Sequence, residues 1–284
     1  MIVVTGATGN VGRTLVRILT EDQVPVTAVA RHIDEAQVPP GVRAVAADLA
    51  EPDGLRGAFE GAEALFLLVA GERPYDILDM AKSAGVRKVV LLSSQGAGTR
   101  PEAYAHPRQF EAAVRESGLD WTILRSGGLD SNAFAWAESI RARRTAAAPF
   151  GDVGLPFVDP DDVAAVAAAV LLTDANTTTH TGATYTLTGP APTTPRARAA
   201  AIATALGEPV TFVEQTRAEA HELMARFMPL PVVEGTLALL GEPTGEEQRV
   251  SPDVERVLGR APGAFAGWAE RNVVAFEGNV VAFR

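Results

Sequence analysis

The sequence predicts an α/β fold in which helices link the strands of a doubly wound parallel sheet. Two observations predict it: short apolar runs alternate with amphipathic segments through the first half of the 284-residue chain, and a glycine-rich turn follows the first of these runs. The predicted strands cover residues 2–5, 26–30, 43–47, 64–69, 88–93 and 121–125.

The segments between these strands predict helices. After the first strand, apolar residues recur at helical spacing and give the first helix one apolar face, formed by Val11, Leu15, Ile18 and Leu19. Later crossover helices are predicted at residues 55–59, 75–83 and 107–117, and each has at or just after its end a glycine that can terminate a helix.

The second half of the chain departs from this rhythm. A glycine pair and an alanine- and arginine-rich stretch within residues 127–148 interrupt it, and we expect them to cover the edge of the sheet. Asp161 and Asp162 open an apolar helix at 163–172, where carboxylates would cap the first amides. A further strand is predicted at 185–188, and the remainder from 194 predicts helices with one short strand at 210–213.

Composition argues against several classes of protein. The chain has no cysteine, so it has no disulfide, and its four histidines lack the spacing of metal ligands. The net charge of −10 opposes binding to nucleic acid or to an anionic membrane. The longest apolar run, 163–172, is far shorter than the ~18 residues that span a bilayer, and residues 1–4 lack the pattern of a signal peptide. We therefore expect a cytoplasmic protein with no metal, nucleic-acid or membrane partner.

A glycine-rich turn, TGATGNVG at residues 5–12, is the strongest functional signal in the sequence. It directly follows a predicted strand and opens an amphipathic helix, which is the context of a phosphate-binding turn. Gly6 permits a tight turn, Gly9 lets the main chain approach a pyrophosphate, and Gly12 allows close packing of helix on strand. The turn predicts a dinucleotide site, with a purely structural turn as the alternative. Its predicted contacts are Gly6, Thr8, Gly9, Asn10, Val11 and Gly12.

Several segments give the chain a resemblance to the NmrA-like branch of the atypical short-chain dehydrogenase/reductase superfamily. In family order they are VTGATGNVG at 4–12, GVRKVVLLSS at 85–94, SGLDWTILR at 117–125, FVD at 157–159 with DVA at 162–164, and YTLTGP at 185–190. The family includes NAD(P)H:quinone oxidoreductases, isoflavone-type reductases and regulators that bind a dinucleotide without turning it over. The resemblance implies that this chain has one of these functions.

The expected organisation combines this resemblance with the pattern along the chain. Residues 1–190 would form a Rossmann-type dinucleotide-binding domain that includes a cover segment at 126–154. Residues 191–284 would form a smaller, mostly helical C-terminal lobe that covers the substrate or makes an oligomer contact.

The residue at the end of the second strand indicates which nicotinamide cofactor is used. NAD-preferring sites carry an acidic residue there, whereas this chain has Arg31, whose guanidinium can pair with the additional phosphate of NADP. We therefore expect a preference for NADP(H), with NAD(H) also possible; the alternative is that Arg31 is a surface charge. Asp48 and Leu49 match the adenine-contacting pair of the family, and Asp48 could also cap the helix that follows.

The nicotinamide is expected over the carboxyl ends of the fourth and fifth strands, where ligands of open α/β sheets collect. The expected contacts are Val69, Ala70, Ser93 and, from the resemblance, Asn132 in the segment that closes over the nicotinamide. Phe134 and Trp136 either line the substrate pocket or pack the cover segment onto the core.

No strong proton donor stands out. The Tyr-x-x-x-Lys pair of ordinary short-chain reductases is absent, and Tyr104 is spaced instead with Arg108, which cannot reversibly give up its proton. His106 is the better candidate because its ordinary pKa suits proton transfer near neutral pH; alternatively, it is a loop residue that caps the helix begun by Pro107. Glu111 matches a recurrent glutamate of the family, and we expect it to be a structural hydrogen-bond partner rather than a base.

Two functions fit these observations. The first is an NADPH-dependent oxidoreductase that reduces a quinone or an aromatic, polyketide-like carbonyl, since quinone reduction asks for position more than for a strong general acid. Its partner would be a small aromatic or quinone-like molecule. The second is a regulatory protein that senses NAD(P) without catalysis, which the missing tyrosine–lysine pair favours. The chain would be a monomer or a homodimer.

Overall fold

Parallel strands form the main sheet of the structure, a computed structural model that describes residues 1–173 and 179–278. In chain order the strands are β1 (Ile2–Thr5), β2 (Val26–Ala30), β3 (Arg43–Ala46), β4 (Ala64–Leu68), β5 (Lys88–Ser94), β6 (Asp120–Ser126), β7 (Thr145–Pro149), β8 (Ala183–Leu187) and β9 (Thr211–Gln215). Among the described residues, seven of them make one parallel sheet in the order β3-β2-β1-β4-β5-β6-β8. The predicted fold class is confirmed.

The sheet reverses its direction of growth between β1 and β4. The chain proceeds from β1 through β2 to β3 at one edge and then returns to β4 on the other side of β1. In such sheets, ligands bind in the crevice at the carboxyl ends of the strands that flank the reversal. The turn after β1 and the loop after β4 therefore lie where a ligand is expected.

Helices form most of the connections between strands. They are α1 (Asn10–Glu21), α2 (Arg56–Phe59), α3 (Pro74–Ser83), α4 (Gly96–Thr99), α5 (Ala105–Glu116), α6 (Ala137–Arg143), α7 (Pro160–Leu172), α8 (Pro195–Leu206), α9 (Arg217–Met224), α10 (Leu230–Gly241), α11 (Asp253–Leu258) and α12 (Phe265–Arg271). On α1, the predicted apolar face is buried at Val11, Leu15 and Leu19, while Ile18 is half-buried. Within the described residues, no helix is long and apolar enough to cross a membrane.

One compact unit contains the main sheet. It comprises Met1–Ser126, Pro160–Leu187 and Asp253–Arg260. Its core includes Leu67 and Leu91 on the sheet together with Ile77 of α3 and Phe110 of α5, all of them fully buried. This apolar layer fixes α3 and α5, and with them the loops that precede both helices.

Helix α7 begins at Pro160, earlier than predicted, and is apolar on nearly every side. Its first-turn carboxylates bind neighbouring segments. Asp161 accepts a hydrogen bond from the hydroxyl of Thr14 in α1 at 2.7 Å, and Asp162 forms an ion pair with Arg260 at 2.7 Å. Asp162 is almost fully buried, so this pair ties residues 253–260 to the sheet unit.

The second compact unit comprises Gly127–Asp159, Thr188–Pro252 and Ala261–Arg284. Within it, β7 and β9 pair in parallel, and a buried core is formed by Trp136, Ile140, Ile202, Trp268 and Phe276. The strand β7 was not predicted. Three of its residues are alanines, which have little intrinsic preference for strands, and its partner β9 lies far along the chain.

These units divide the chain differently from the predicted domains. Residues 127–159, all of which were expected in the dinucleotide-binding domain, share a unit with most of residues 191–284. Residues 253–260 belong instead to the sheet unit, where the carboxylate of Asp253 accepts the amide of Thr186 in β8 at 2.9 Å. Sequence patterns predict local structure, whereas the unit that each of these segments joins depends on contacts between residues far apart in the chain.

Candidate cofactor site

Two glycines in the turn after β1 are required by the fold itself. Gly6 has a φ of +63°, and a Cβ there would lie 2.0 Å from Cδ1 of Leu68 at the end of β4. A Cβ at Gly12 would lie 2.2 Å from the carbonyl oxygen of Gly6. Gly9 differs, because it is exposed, has a φ of −79°, and a Cβ there would contact only the Gly6 oxygen, at 3.2 Å. A methyl group at Gly9 would require that oxygen to shift by only a few tenths of an ångström, and its absence keeps the outer surface of the turn open.

Thr5 fastens this turn to β4. Its fully buried hydroxyl donates to the carbonyl oxygen of Phe66 at 2.9 Å and accepts the amide of Leu68 at 3.0 Å. These bonds continue the ladder between β1 and β4 beyond its last residue pair, Val4 and Phe66. This role was not predicted from the sequence, where its signal is a polar residue at the end of an otherwise apolar strand.

The first turn of α1 presents main-chain amides to a ligand. The amide of Ala7 donates to the carbonyl oxygen of Val29 in β2, which ties the turn to that strand. In the part of the chain that the structure describes, the first three amides of α1 donate to no protein group; they belong to Asn10, Val11 and Gly12. Such amides, together with the positive end of the helix dipole, bind anions. The turn therefore fits the pyrophosphate of a dinucleotide.

A positive charge stands at the end of β2. Arg31 directly follows that strand, is exposed, and has no ion-pair partner among residues 1–173 and 179–278. The next acidic residue along the chain, Asp34, accepts the amide of Ala36 at 2.9 Å and forms a capping box with Gln37. The position that binds ribose hydroxyls in NAD-preferring sites thus carries a cation, which suits the additional phosphate of NADP.

Asp48 and Leu49 lie in the loop after β3. The carboxylate of Asp48 accepts the amide of Ala50 at 2.9 Å and closes a local turn, whereas Glu51 precedes the next helical segment. The prediction that Asp48 caps that helix is wrong. The side chain of Leu49 is buried, and its main chain packs on Gly71, where a Cβ would lie 2.5 Å from the Leu49 carbonyl oxygen.

The residues predicted near the nicotinamide present different groups. Val69 and Ala70 are half-buried in the loop after β4. The hydroxyl of Ser93 is buried and donates to a carboxylate oxygen of Glu111 at 2.7 Å. A ligand contact at Ser93 would therefore involve its main chain, while Ser94 projects from the opposite face of the strand.

Glu111 joins the ends of β5 and β6. Its carboxylate is 1% exposed and accepts two bonds from Arg125, at 2.9 and 2.7 Å, in addition to bonds from Ser93 and Arg115. Burial by itself raises the pKa of Glu111, but the bonds from Arg125 and Ser93 outweigh it and hold the pKa below its ordinary value. Gly98 leaves room for this arrangement, since a Cβ there would lie 2.4 Å from Nη1 of Arg125. The predicted structural role of Glu111 is confirmed.

His106 lies in the first turn of α5. That helix begins at Ala105, so the alternative that placed His106 in a loop before the helix is wrong. The Nε2 atom of His106 is 2.6 Å from the carbonyl oxygen of Gly71, in the loop after β4. The imidazole also meets the ring of Phe110 edge to face, with centroids 5.3 Å apart.

Tyr104 lies at the carboxyl end of β5. Its ring covers Gly96, the residue at which α4 begins, and a Cβ there would lie 2.5 Å from the ring atoms Cε2 and Cζ. Arg108, one helical turn further on, is exposed. The structure therefore places Tyr104, but not a tyrosine–lysine pair, at the strand end where the nicotinamide is expected.

The other predicted residues belong to the second unit. Asn132 is exposed within the short helical segment Asp130–Trp136. Phe134 packs on Trp268 with ring centroids 5.0 Å apart, and the indole of Trp136 donates to a main-chain carbonyl of the same unit at 2.8 Å. These contacts support the packing role of the two aromatic residues.

Comparison with known proteins places this turn in a family context. The model of a family described as NAD(P)H-binding matches residues 6–174. Over 97% of this chain and 99% of the relative, the sequence is 36% identical to the (4-alkanoyl-5-oxo-2,5-dihydrofuran-3-yl)methyl phosphate reductase of Streptomyces griseus subsp. griseus. Over the same shares of each chain, it is 30% identical to the NAD(P)H azoreductase of Xenophilus azovorans.

A solved structure is similar over nearly the whole chain. It is that of an NADPH-dependent quinone oxidoreductase from Escherichia coli complexed with NADPH, with a TM-score of 0.75 and 25% identity over 95% of this chain and 99% of that chain. All three relatives are reductases or oxidoreductases, and their likeness to this chain extends beyond the turn to both units.

Substitutions at Gly9 and Gly12 distinguish a glycine required for ligand binding from one required for folding. Gly12→Ala should lower the free energy of unfolding by about 3 kcal/mol, because its methyl group would overlap the Gly6 carbonyl. Gly9→Ala should change it by less than about 1 kcal/mol but weaken NADPH binding at least about tenfold, since its methyl group would lie on the open surface of the turn where the phosphates are expected. Urea unfolding and NADPH fluorescence titration measure the two effects. Unchanged NADPH affinity in Gly9→Ala would refute the assignment of the turn.

The pH dependence of the free energy of unfolding in Glu111→Gln tests the buried ion pair between Glu111 and Arg125. The pKa of Glu111 is lower in the folded chain than in the unfolded chain, so its stabilisation is present above the unfolded pKa and is lost as the pH falls through the folded pKa. We expect Glu111→Gln to lose about 2–4 kcal/mol at neutral pH and to show a flatter decline of stability below about pH 4.5.

Urea unfolding measured from neutral to acidic pH checks this expectation. Glu116→Gln is the matched control, because Glu116 lies on the same helix but is exposed. An acid decline as steep in Glu111→Gln as in the unsubstituted chain would show that another group controls it.

Proposed function

Because the chain belongs to the NAD(P)H-binding family and its segments resemble those of the NmrA-like atypical short-chain dehydrogenases/reductases, we propose that it reduces quinones or aromatic, polyketide-like carbonyl compounds with NADPH. Reductase activity dependent on NAD(P)H follows from the family and from the named relatives. The class of substrate is the part that we propose.

One observation carries the proposal: within the described residues, the first amides of α1 have no protein partner, and they lie at the reversal of the sheet. The amides of Asn10, Val11 and Gly12 would hold the pyrophosphate, and the bare surface of Gly9 would let it approach. Arg31 would bind the additional phosphate that distinguishes NADP from NAD. Asp48 and Leu49 would contact the adenine side. When bound, NADPH would supply the hydride.

The nicotinamide end is proposed to lie along the loop after β4 and the end of β5. Val69, Ala70 and the main chain of Ser93 would contact it there. Glu111 and Arg125 would act through other groups, because their ion pair keeps the ends of β5 and β6 at a fixed separation. A rigid strand end contributes to catalysis by position, which is the main requirement of hydride transfer.

The proton balance of the reaction favours a quinone. A quinone takes up one hydride from NADPH and one proton to give a hydroquinone and NADP⁺, and water can supply that proton. A carbonyl substrate needs a better donor, and the phenol of Tyr104 at the end of β5 is the candidate that we propose. We also include azo compounds and unsaturated lactones among the proposed acceptors, because the names of the two relatives above describe reductases of such compounds.

The proposal from the sequence also includes residues of the second unit. Asn132 would contribute from its exposed position in that unit. The helices within residues 191–284 would cover an apolar ring or form an oligomer contact. Large apolar side chains are exposed on these helices and the turn between them, among them Leu223, Phe227 and Leu230.

A regulatory protein is the second candidate. The observation that favours it is the absence of a lysine after Tyr104, where Arg108 stands instead. Such a protein would bind NAD(P) through the same turn and respond to its redox state without consuming it.

Turnover separates the two candidates. NADPH absorbance should fall in the presence of the protein and a quinone, and the loss should exceed that with either component alone. Aromatic ketones and azo dyes complete the panel. Tyr104→Phe should leave quinone turnover within about twofold and lower ketone turnover at least about tenfold, because only the ketone needs a donor from the protein. NADPH binding without turnover of any acceptor would support the regulatory candidate.

Exchange of the charge at the end of β2 tests the cofactor preference. Arg31→Asp should lower the ratio of NADPH to NADH affinity by at least about tenfold, because the new carboxylate repels the additional phosphate and accepts ribose hydroxyls. Arg56→Asp, at another exposed arginine of the same unit, is the control. Fluorescence titration with each nucleotide measures the ratio. An unaltered ratio in Arg31→Asp would remove Arg31 from cofactor selection.

A further inference from the structure

We infer that His106 is a positioning residue and not a proton donor: it fixes the loop between β4 and α3 to helix α5, and so holds two main-chain segments that face the proposed cofactor. The ligand in this inference rests on the proposed function. The contacts that carry it are properties of the chain itself.

Gly71 is the residue through which this loop is held. It has a φ of +78°, and a Cβ there would lie 2.5 Å from the carbonyl oxygen of Leu49 and 2.9 Å from Cα of Ala50. The loop after β4 therefore packs on the loop after β3 with no room for a side chain. The carbonyl oxygen of Gly71 is also the partner of His106 Nε2, at 2.6 Å. Gly71 is thus bound to two different elements.

The chemistry of this bond decides where the imidazole keeps its proton. A carbonyl oxygen can only accept, so Nε2 of His106 must carry the hydrogen, and the neutral ring is the Nε2–H tautomer. Phe110 is fully buried and meets the imidazole edge to face at 5.3 Å, which fixes the plane of the ring. The carboxylate of Glu72 is 3.8 Å from Nε2 and 84% exposed, so it contributes little. The proton on Nε2 is committed to Gly71.

The position of the loop gives this bond its consequence. Val69 and Ala70 open the loop and are the proposed contacts on the nicotinamide side, whereas Leu49 is a proposed contact on the adenine side. A single hydrogen bond from His106 keeps Gly71 against Leu49 and thereby sets the spacing of both. Its loss should weaken cofactor binding and leave the chemical step little changed.

Two substitutions of His106 distinguish this role from proton donation. Glutamine can place an amide N–H near the position of Nε2 but cannot titrate near neutral pH, whereas alanine offers no donor. We expect His106→Ala to raise the Kd for NADPH about five- to tenfold, the effect of one lost hydrogen bond, with kcat at saturating NADPH within about twofold. His106→Gln should restore the affinity, and neither variant should remove a limb from the pH profile of kcat. Glu72→Gln is the control and should bind NADPH as the unsubstituted chain does.

The opposite pattern would overturn the inference. If both variants lower kcat at saturating NADPH and abolish a limb of the pH profile while the Kd is unchanged, His106 donates a proton. If His106→Ala leaves both quantities unchanged, the bond to Gly71 has no positioning role.

The ring tautomer is measured without any cofactor. Long-range proton–nitrogen correlation spectra of the nucleotide-free protein should show the imidazole of His106 as the Nε2–H tautomer. The Nδ1–H tautomer would overturn the inference. A chain that bound no NADPH would refute the proposed function, and this spectrum would still decide the role of His106.

Discussion

The close packing of α1 on the turn before it is the constraint on which this site depends. The first turn of the helix can approach the carbonyl of Gly6 only because Gly12 has no side chain. That approach brings the amino end of α1 to the carboxyl end of β1, next to the reversal of the sheet. Thr5 then fixes β1 to β4 by two hydrogen bonds of one hydroxyl. The amides and the dipole of α1 consequently point into the crevice that the topology creates.

Glycines leave space along the carboxyl edge of the sheet, and each of them makes room for a different neighbour. Gly6 makes room for Leu68, Gly71 for the main chain of Leu49, and Gly98 for the guanidinium of Arg125. Gly9 alone among the three turn glycines has little to avoid within the protein. A glycine pattern in a sequence does not distinguish a glycine required by packing from one that leaves the surface open, because the difference depends on which atoms lie opposite each Cα. The three-dimensional contacts make that distinction and leave Gly9 as the open position of the turn, where we propose that the ligand approaches.

The sequence predicted those features that local patterning controls. The strands of the main sheet, the first helix and the phosphate-binding turn each follow from apolar spacing and glycine placement within a few residues. The structural role of Glu111 was also predicted, but from the resemblance to the family, in which a glutamate recurs on this helix. The remaining features depend on distant contacts: β7 needs β9, residues 253–260 need β8, and His106 needs Gly71, which lies 35 residues earlier. The engagement of Ser93 with Glu111 likewise depends on how α5 packs on β5.

In the proposed function, the protein contributes to catalysis mainly by positioning the reactants, and the turn of α1 anchors the cofactor. An NMR titration with NADPH tests that anchor most directly, since it observes the amides themselves. The amide resonances of Asn10, Val11 and Gly12 should shift together and saturate as NADPH binds, while those of β8 at the far edge of the sheet should stay in place. Saturable NADPH binding that leaves these three amides unshifted, or no binding of a nicotinamide nucleotide at all, would contradict the account.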